Sequence, residues 1–223
     1  MKELFIENAA AVSPLGSNLE EIWQNLLLGE IQFGQTRLPG DKSYFSAETK
    51  KNSASDIHTY APLFYETVRK LITELNISEP VDAVFFATAV GNLAEIESKI
   101  YAKKDLLLKE FDFTHVKEVF LESNVVTQNT RFVCVPTGCC AGLQAIGLAK
   151  LLMEKINLKT AIIMSLDFGL SPLAFEAFSK INATSNYQAN QGTSPSRPFC
   201  KDRGGFLFAD GGGAIYVNTE TKN

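Results

Sequence analysis

Cys139 stands in Pro136-Thr137-Gly138-Cys139-Cys140-Ala141-Gly142, at a tight turn between an apolar strand and a long apolar helix. A thiol at the start of a helix faces the partial positive charge of the helix N-terminus and its free N–H groups. Both favour the thiolate, the nucleophilic form. Gly138 lets the turn close, and Gly142 lets a backbone or a substrate approach. Two nucleophile readings compete. In one, Cys139 attacks. In the other, Gly138-x-Cys140-x-Gly142 is the nucleophile elbow of an α/β-hydrolase with Cys140 in the serine position. Chain order favours the first, because a hydrolase needs its acid and histidine after the nucleophile. The only histidines, His58 and His115, both precede it. A third reading makes both cysteines small core residues at a turn. A reactive cysteine commonly works beside an imidazole, so the chain reads as part of a larger machine.

The elements that must position this turn alternate between strand and helix. Leu4 to Val12 reads as a strand closed by Ser13-Pro14-Leu15-Gly16. A helix from about Leu19 to Leu28 is capped by Ser17 or Asn18 and ended by Gly29. Residues 34 to 56 read as an irregular surface excursion, and a helix follows from about His58 to Leu75. Ala83 to Val90 is an apolar run suited to a buried strand, and Asn92 to about Lys104 reads as a helix; 105 to 125 is ambiguous. Phe132 to Val135 is the strand that leads to the cysteines. The helix behind them runs to about Ile156, and from Cys139 to Met153 only Gln144 and Lys150 are polar, which implies a helix covered on most sides. Ala161 to Leu166 is another buried strand, Pro172 to Lys180 a short helix, and Asn182 to Ser196 a polar loop. Two closing strands, near Gly205 to Phe208 and Gly213 to Thr219, are expected to form a hairpin-like pair around Asp210-Gly211-Gly212-Gly213. The expectation is one α/β layered unit over residues 1–223, with a mixed sheet of the five-stranded type and a buried central helix.

Composition narrows the function classes. The chain is 223 residues long, 45% hydrophobic and 21% charged, with a net charge of −4. That charge gives no reason to expect nucleic acid. No apolar run is long enough to span a bilayer, and the N-terminus is not a signal peptide. The four cysteines, Cys134, Cys139, Cys140 and Cys200, include no Cys-x-x-Cys pair. Reduced thiols in a cytoplasmic protein are therefore expected, without disulfides or zinc. Cys134 alternates within an apolar strand and reads as inert core. Asp210-Gly211-Gly212-Gly213 lacks the Lys-Ser/Thr of a phosphate cradle and reads as a tight turn near the site. No metal, nucleotide or flavin site is expected.

Longer segments carry a family likeness. Thr137-Gly138-Cys139-Cys140-Ala141-Gly142-Leu143-Gln144 resembles the active-site cysteine segment of the β-ketoacyl synthases, closest to the Thr-Gly-Cys-x-Ser-Gly-Leu-Asp pattern of aromatic polyketide and polyene pathways. Val12-Ser13-Pro14-Leu15-Gly16, then Ile22-Trp23 and Leu26-Leu27-x-Gly29, resembles the family's first strand, turn and helix. Leu170-Ser171-Pro172 through Ala177-Phe178-Ser179 is similar to the segment after a later core strand. Arg197-Pro198-Phe199-Cys200-Lys201-Asp202-Arg203-Gly204-Gly205-Phe206 and Asp210-Gly211-Gly212-Gly213-Ala214 resemble the family's Arg-Pro-Phe-Asp…Arg-Asp-Gly-Phe…Gly-Asp-Gly-Ala-Gly signature.

The resemblance implies a thiolase-like fold of two similar halves, of which this chain is the N-terminal one. It implies that Cys139 takes an acyl group from an acyl carrier protein and that its backbone N–H is one oxyanion donor. Two histidines, a lysine and a Gly-Phe-Gly oxyanion loop come from the C-terminal half in the family, and neither His58 nor His115 sits in a family histidine motif. The implied protein is a 3-oxoacyl-carrier-protein synthase type of acyltransferase that needs no cofactor. Its partner would be a ketosynthase or a C-terminal half in another chain, with self-pairing through the strand near Phe132 as a further way to cover its surface. Cys200 and Gly204 replace family aspartates that tie the active-site floor together. The alternative is a non-catalytic subunit of the chain-length-factor kind, although those relatives replace the cysteine with glutamine. A fragment of a longer protein is a third option.

Overall fold

Ala83-Val84-Phe85-Phe86-Ala87 has no polar side chain, and such a strand has to be covered on both faces. The computed structural model describes residues 3–30, 32–38, 42–185 and 196–219. In it this run is the central strand β4 (Ala83–Ala87), every residue of which is buried. It pairs in parallel with β5 (Arg131–Val135) on one side and β6 (Thr160–Asp167) on the other. β8 (Gly211–Asn218) is antiparallel to β6 and to β1 (Phe5–Val12). The order β1-β8-β6-β4-β5 makes the sheet mixed and five-stranded, with β5 as one edge.

Side chains alternate across β4, so its two faces pack against different partners. Val84 and Phe86 join Val68 and Leu71 of α3 (Leu63–Glu74), Phe120 of α5 (Thr114–Leu121) and Phe175 of α7 (Pro172–Lys180). Phe85 and Ala87 face α6 (Ala141–Lys155), which lays Ala141, Ala145, Ala149 and Met153 against the sheet. The four-residue spacing puts these on one stripe of the helix, and the alanines let the backbone lie close to the strands.

The opposite side of α6 is open. Leu143 is 75% exposed and Leu151 55%, and Ile146 is exposed beside them. A helix covered on most sides was the expectation, and the described residues cover one stripe. The apolar remainder is a surface that the described residues leave bare.

Local chemistry explains the other differences. The helix expected over His58 to Leu75 is two helices, α2 (Ile57–Tyr60) and α3, because Pro62 between them has no N–H to continue the first. The excursion at 34 to 56 contains β2 (Gly34–Leu38) and β3 (Lys42–Ala47), an antiparallel pair that buries Thr36 and Leu38. β7 (Phe208–Ala209) pairs in parallel with β3 and not with β8, so the closing strands form no hairpin but belong to two sheets. Gly211, Gly212 and Gly213 are the first residues of β8, paired with Asp167, Leu166 and Ser165, where a tight turn was expected. The ambiguous stretch contains a single helical turn at Leu108–Glu110 and α5. Most of the polar loop from 182 to 196 lies outside the described residues. Near the N-terminus, α1 (Leu19–Leu27) is capped by Asn18, whose side chain accepts from Glu21 N at 2.9 Å. α4 (Leu93–Tyr101) ends three residues before the expected boundary.

Candidate functional site

The cysteine turn is built by one glycine and one backbone hydrogen bond. Gly138 has φ +83°, a left-handed conformation that a side chain would strain. Its carbonyl accepts from Ala141 N at 2.9 Å, which places Cys139 and Cys140 at the centre of the turn. The Cys140 carbonyl then accepts the N–H of Gln144 at 3.0 Å as α6 begins. Both thiols are exposed. The Cys139 N–H makes no hydrogen bond to any described residue, as an oxyanion donor requires. Thr137 Oγ1 donates to Gln144 Oε1 across the turn.

Gly142 seats this start of the helix. A Cβ there would lie 3.2 Å from Ser165 Oγ on β6, so the approach that its small size permits is that of the sheet. The turn sits beyond the C-terminal ends of the parallel strands, the edge where α/β sheets carry their sites.

Asp167 closes β6 at the same edge of the sheet. Its carboxylate accepts from Thr88 Oγ1 at 2.6 Å, Ala89 N at 2.8 Å and Val90 N at 2.9 Å. Thr88 N donates to Val135 O at 3.4 Å. The carboxylate thus ties β6 to the chain leaving β4, and through it to the last residue of β5. Sequence reading passed over Asp167, although a lone charge closing the apolar run Ala161 to Leu166 was a usable signal. Asp167→Ala leaves these donors without their acceptor and should destabilise the chain by about 2–3 kcal/mol in urea unfolding. Asp167→Asn, which keeps one acceptor oxygen, should cost less.

A second group, whose pairing the sequence did not reveal, lies deeper. Asp210, between β7 and β8, is 3% exposed and Tyr60 is 0% exposed. Tyr60 donates its O–H to Asp210 Oδ1 and accepts from Leu170 N at 2.8 Å. Asp210 Oδ2 has no hydrogen-bond partner among the described residues. Burial, with Glu48 adding like charge, pushes the Asp210 carboxyl up to about 8. The same burial, with Asp210 beside it, holds the Tyr60 phenol well above its usual range.

The histidines are elsewhere. α2 and α5, which carry His58 and His115, pack on the sheet face opposite α6. His58 Nδ1 lies 2.7 Å from Ser98 Oγ. His115 contacts Glu118 at 2.9 Å and Glu110 at 3.3 Å. Ligand atoms of Glu95, Glu110 and His115 come within 4.8 Å of one another, a convergence that the sequence did not reveal. Lys99 Nζ sits 2.5 Å from Glu110 and 3.1 Å from Glu95, so the chain supplies its own cation there. That ammonium holds the Glu110 carboxyl down at about 2.

The remaining sequence candidates are separate from the turn. Cys134 is half-buried, and burial pushes its thiol up to about 11, which suits an inert core residue. Cys200 is exposed. Arg203 donates to the Cys200 carbonyl at 3.0 Å, and Arg197 donates to the Asp202 carbonyl at 2.7 Å. This loop is thus closed through main-chain carbonyls. No helix among the described residues is long and apolar enough to cross a membrane.

No family model matches the chain. It is 22% identical over 246 residues to 3-oxoacyl-[acyl-carrier-protein] synthase 2 of Synechocystis sp., covering 97% of this chain and 57% of that protein. It is 21% identical over 250 residues to a putative mitochondrial 3-oxoacyl-[acyl-carrier-protein] synthase of Schizosaccharomyces pombe, covering 97% and 58%. The chain therefore spans somewhat over half the length of the curated relatives it matches. Its fold is similar to that of a ketosynthase solved in complex with its type II polyketide acyl-carrier protein, with a TM-score of 0.77 and 18% identity over 97% of this chain and 58% of that one. It is also similar to the ishigamide ketosynthase/chain length factor, with a TM-score of 0.69 and 17% identity over 97% and 58%. The fold is the thiolase-like one of the ketosynthases.

Proposed function

We propose that this chain carries the nucleophilic half of a β-ketoacyl synthase site, in which Cys139 accepts an acyl group from an acyl carrier protein. The observation that carries this reading is the turn itself, with an exposed thiol at a helix start and its own N–H unengaged. Attack by the Cys139 thiolate on the acyl thioester would form the new thioester and expel the carrier's sulfur as its thiolate. The Cys139 N–H would hold one side of the developing oxyanion. Both curated relatives are synthases acting on acyl-carrier-protein substrates by name, which supports the carrier as donor.

Condensation needs a base that the described half does not bring to the thiol. The bare apolar side of α6 supports a covering partner, since an exposed apolar stretch of this kind marks an interaction surface. A C-terminal half or a ketosynthase in another chain fits that role, and the unpaired edge of β5 offers a route to pairing with a further subunit. Cytoplasmic residence follows from the same reading, because the cysteines need to stay reduced. A non-catalytic subunit of the chain-length-factor kind is the second reading, favoured by Cys200 and Gly204 in place of acids. Incubation with acyl-loaded carrier protein, followed by peptide mass mapping, separates the two. An acyl adduct on Cys139 is expected. No adduct with or without a partner synthase, and unchanged partner activity with Cys139→Ala, would support the non-catalytic reading.

A further inference from the structure

Thr137 and Gln144 flank the cysteine turn, two residues before Cys139 and five after it, and their side chains meet. We propose that Gln144 is a positioning residue for Cys139, acting through Thr137. The inference rests on Cys139 being the nucleophile.

The helix side of the turn is seated on the sheet through Ala141 and Gly142, but its strand side is not. A Cβ built at Gly138 would meet nothing within 4 Å, so no neighbour packs against that side of the residue. Pro136, Thr137, Cys139 and Cys140 are all exposed. The bond from Ala141 N to Gly138 O closes the turn internally but does not fix it relative to β5. Gly138 is therefore the hinge between strand and helix that a contact across it would steady. The Thr137 hydroxyl does so by donating to the Gln144 carbonyl oxygen. Gln144 lies in the first turns of α6, where its N–H is bonded to Cys140 O, and neighbouring Ala145 is buried against the sheet. The rigid part of the helix is thereby carried back to the residue before the glycine. The sulfur and the Cys139 N–H have to face one reacting carbonyl together, and a loose hinge spreads them over many arrangements.

Four variants of the full chain test this. Thr137→Val and Gln144→Leu remove the donor and the acceptor, whereas Thr137→Ser and Gln144→Glu keep them. Two quantities are read: amide hydrogen exchange over residues 137–141 and the rate of acyl loading from carrier protein. The first pair should speed exchange there by at least about 5-fold with the melting temperature unchanged. The same pair should slow loading by about 10-fold. The double variant Thr137→Val/Gln144→Leu should be no worse than either single, since both remove one bond. Thr137→Ser should stay near the parent in both, and Gln144→Glu near the parent in exchange, its added charge opposing the thiolate in loading. Unchanged exchange in the first pair overturns the clasp, and faster exchange with unchanged loading overturns its positioning role. Absence of loading in the parent chain, with exchange behaving as expected, overturns the functional reading and upholds the clasp.

Discussion

Cys139→Ala is expected to lower acyl loading by at least about 10³-fold, while Cys140→Ala keeps it within about threefold. The two thiols are neighbours in one turn and both exposed, so exposure does not choose between them. Neither N–H meets a described acceptor, so the main chain does not choose either. Cys139 directly follows the left-handed Gly138, whereas Cys140 caps α6 with its carbonyl engaged by Gln144. Chain order disfavours the elbow reading that needs Cys140. A nucleophile whose own N–H completes the oxyanion pocket gains stabilisation at the moment charge develops, and that role fits Cys139. The check is the acyl-adduct mass in tryptic peptides of each variant. An adduct that persists in Cys139→Ala and disappears in Cys140→Ala would move the nucleophile by one residue and revive the elbow reading.

The second large effect is a pH dependence of stability centred on Asp210. Its carboxyl titrates near 8 in the folded chain and near 3.8 in the unfolded one. Below about pH 4 both states hold the proton, and there is no penalty. From there to about pH 8 the folded state keeps a proton that the unfolded state has released, so stability falls as pH rises. The slope approaches about 1.4 kcal/mol per pH unit from this one group. Above 8 both states are ionised and the penalty is constant. Asp210→Asn imitates the protonated acid and still accepts from Tyr60. It should equal the parent near pH 4 and exceed it at pH 8 by about 2 kcal/mol or more. Tyr60→Phe removes the donor to Asp210 and the acceptor for Leu170 N, and should cost about 2–4 kcal/mol at pH 6. Urea unfolding at pH 4, 6 and 8 reads both. A parent and an Asp210→Asn variant with parallel pH profiles would show that Asp210 ionises without hindrance.

The strands and helices nearest the cysteines were legible because their signals are local. The apolar run of β4, the break at Gly138 and the alanine-rich start of α6 each express a short-range preference. What escaped was made by distant residues meeting. Asp167 and Thr88 are 79 positions apart, and Tyr60 and Asp210 are 150 apart. Neither pair leaves a spacing to read. The two-sheet placement of β7 and β8 was hidden for the same reason, since β7 takes its partner from β3 far upstream. The helix break at Pro62 was legible in principle, and the apolar periodicity on both sides of it masked the signal. The expected burial of α6 was an inference from its composition. Its bare side is consistent with that composition once a second body is allowed to supply the cover.

The alanine stripe of α6 couples the core to the chemistry. Ala141, Ala145 and Ala149 rest on β4 and β6 through side chains that end at Cβ, so the height of the helix above the sheet is the height of its backbone. The cysteine turn is the end of that same helix. Any substitution that thickens the stripe lifts the cysteine turn off the sheet together with the helix axis. Adding bulk to this interface therefore cannot be a neutral route to stability, and residues far down α6 act as a spacer that sets the depth of the site.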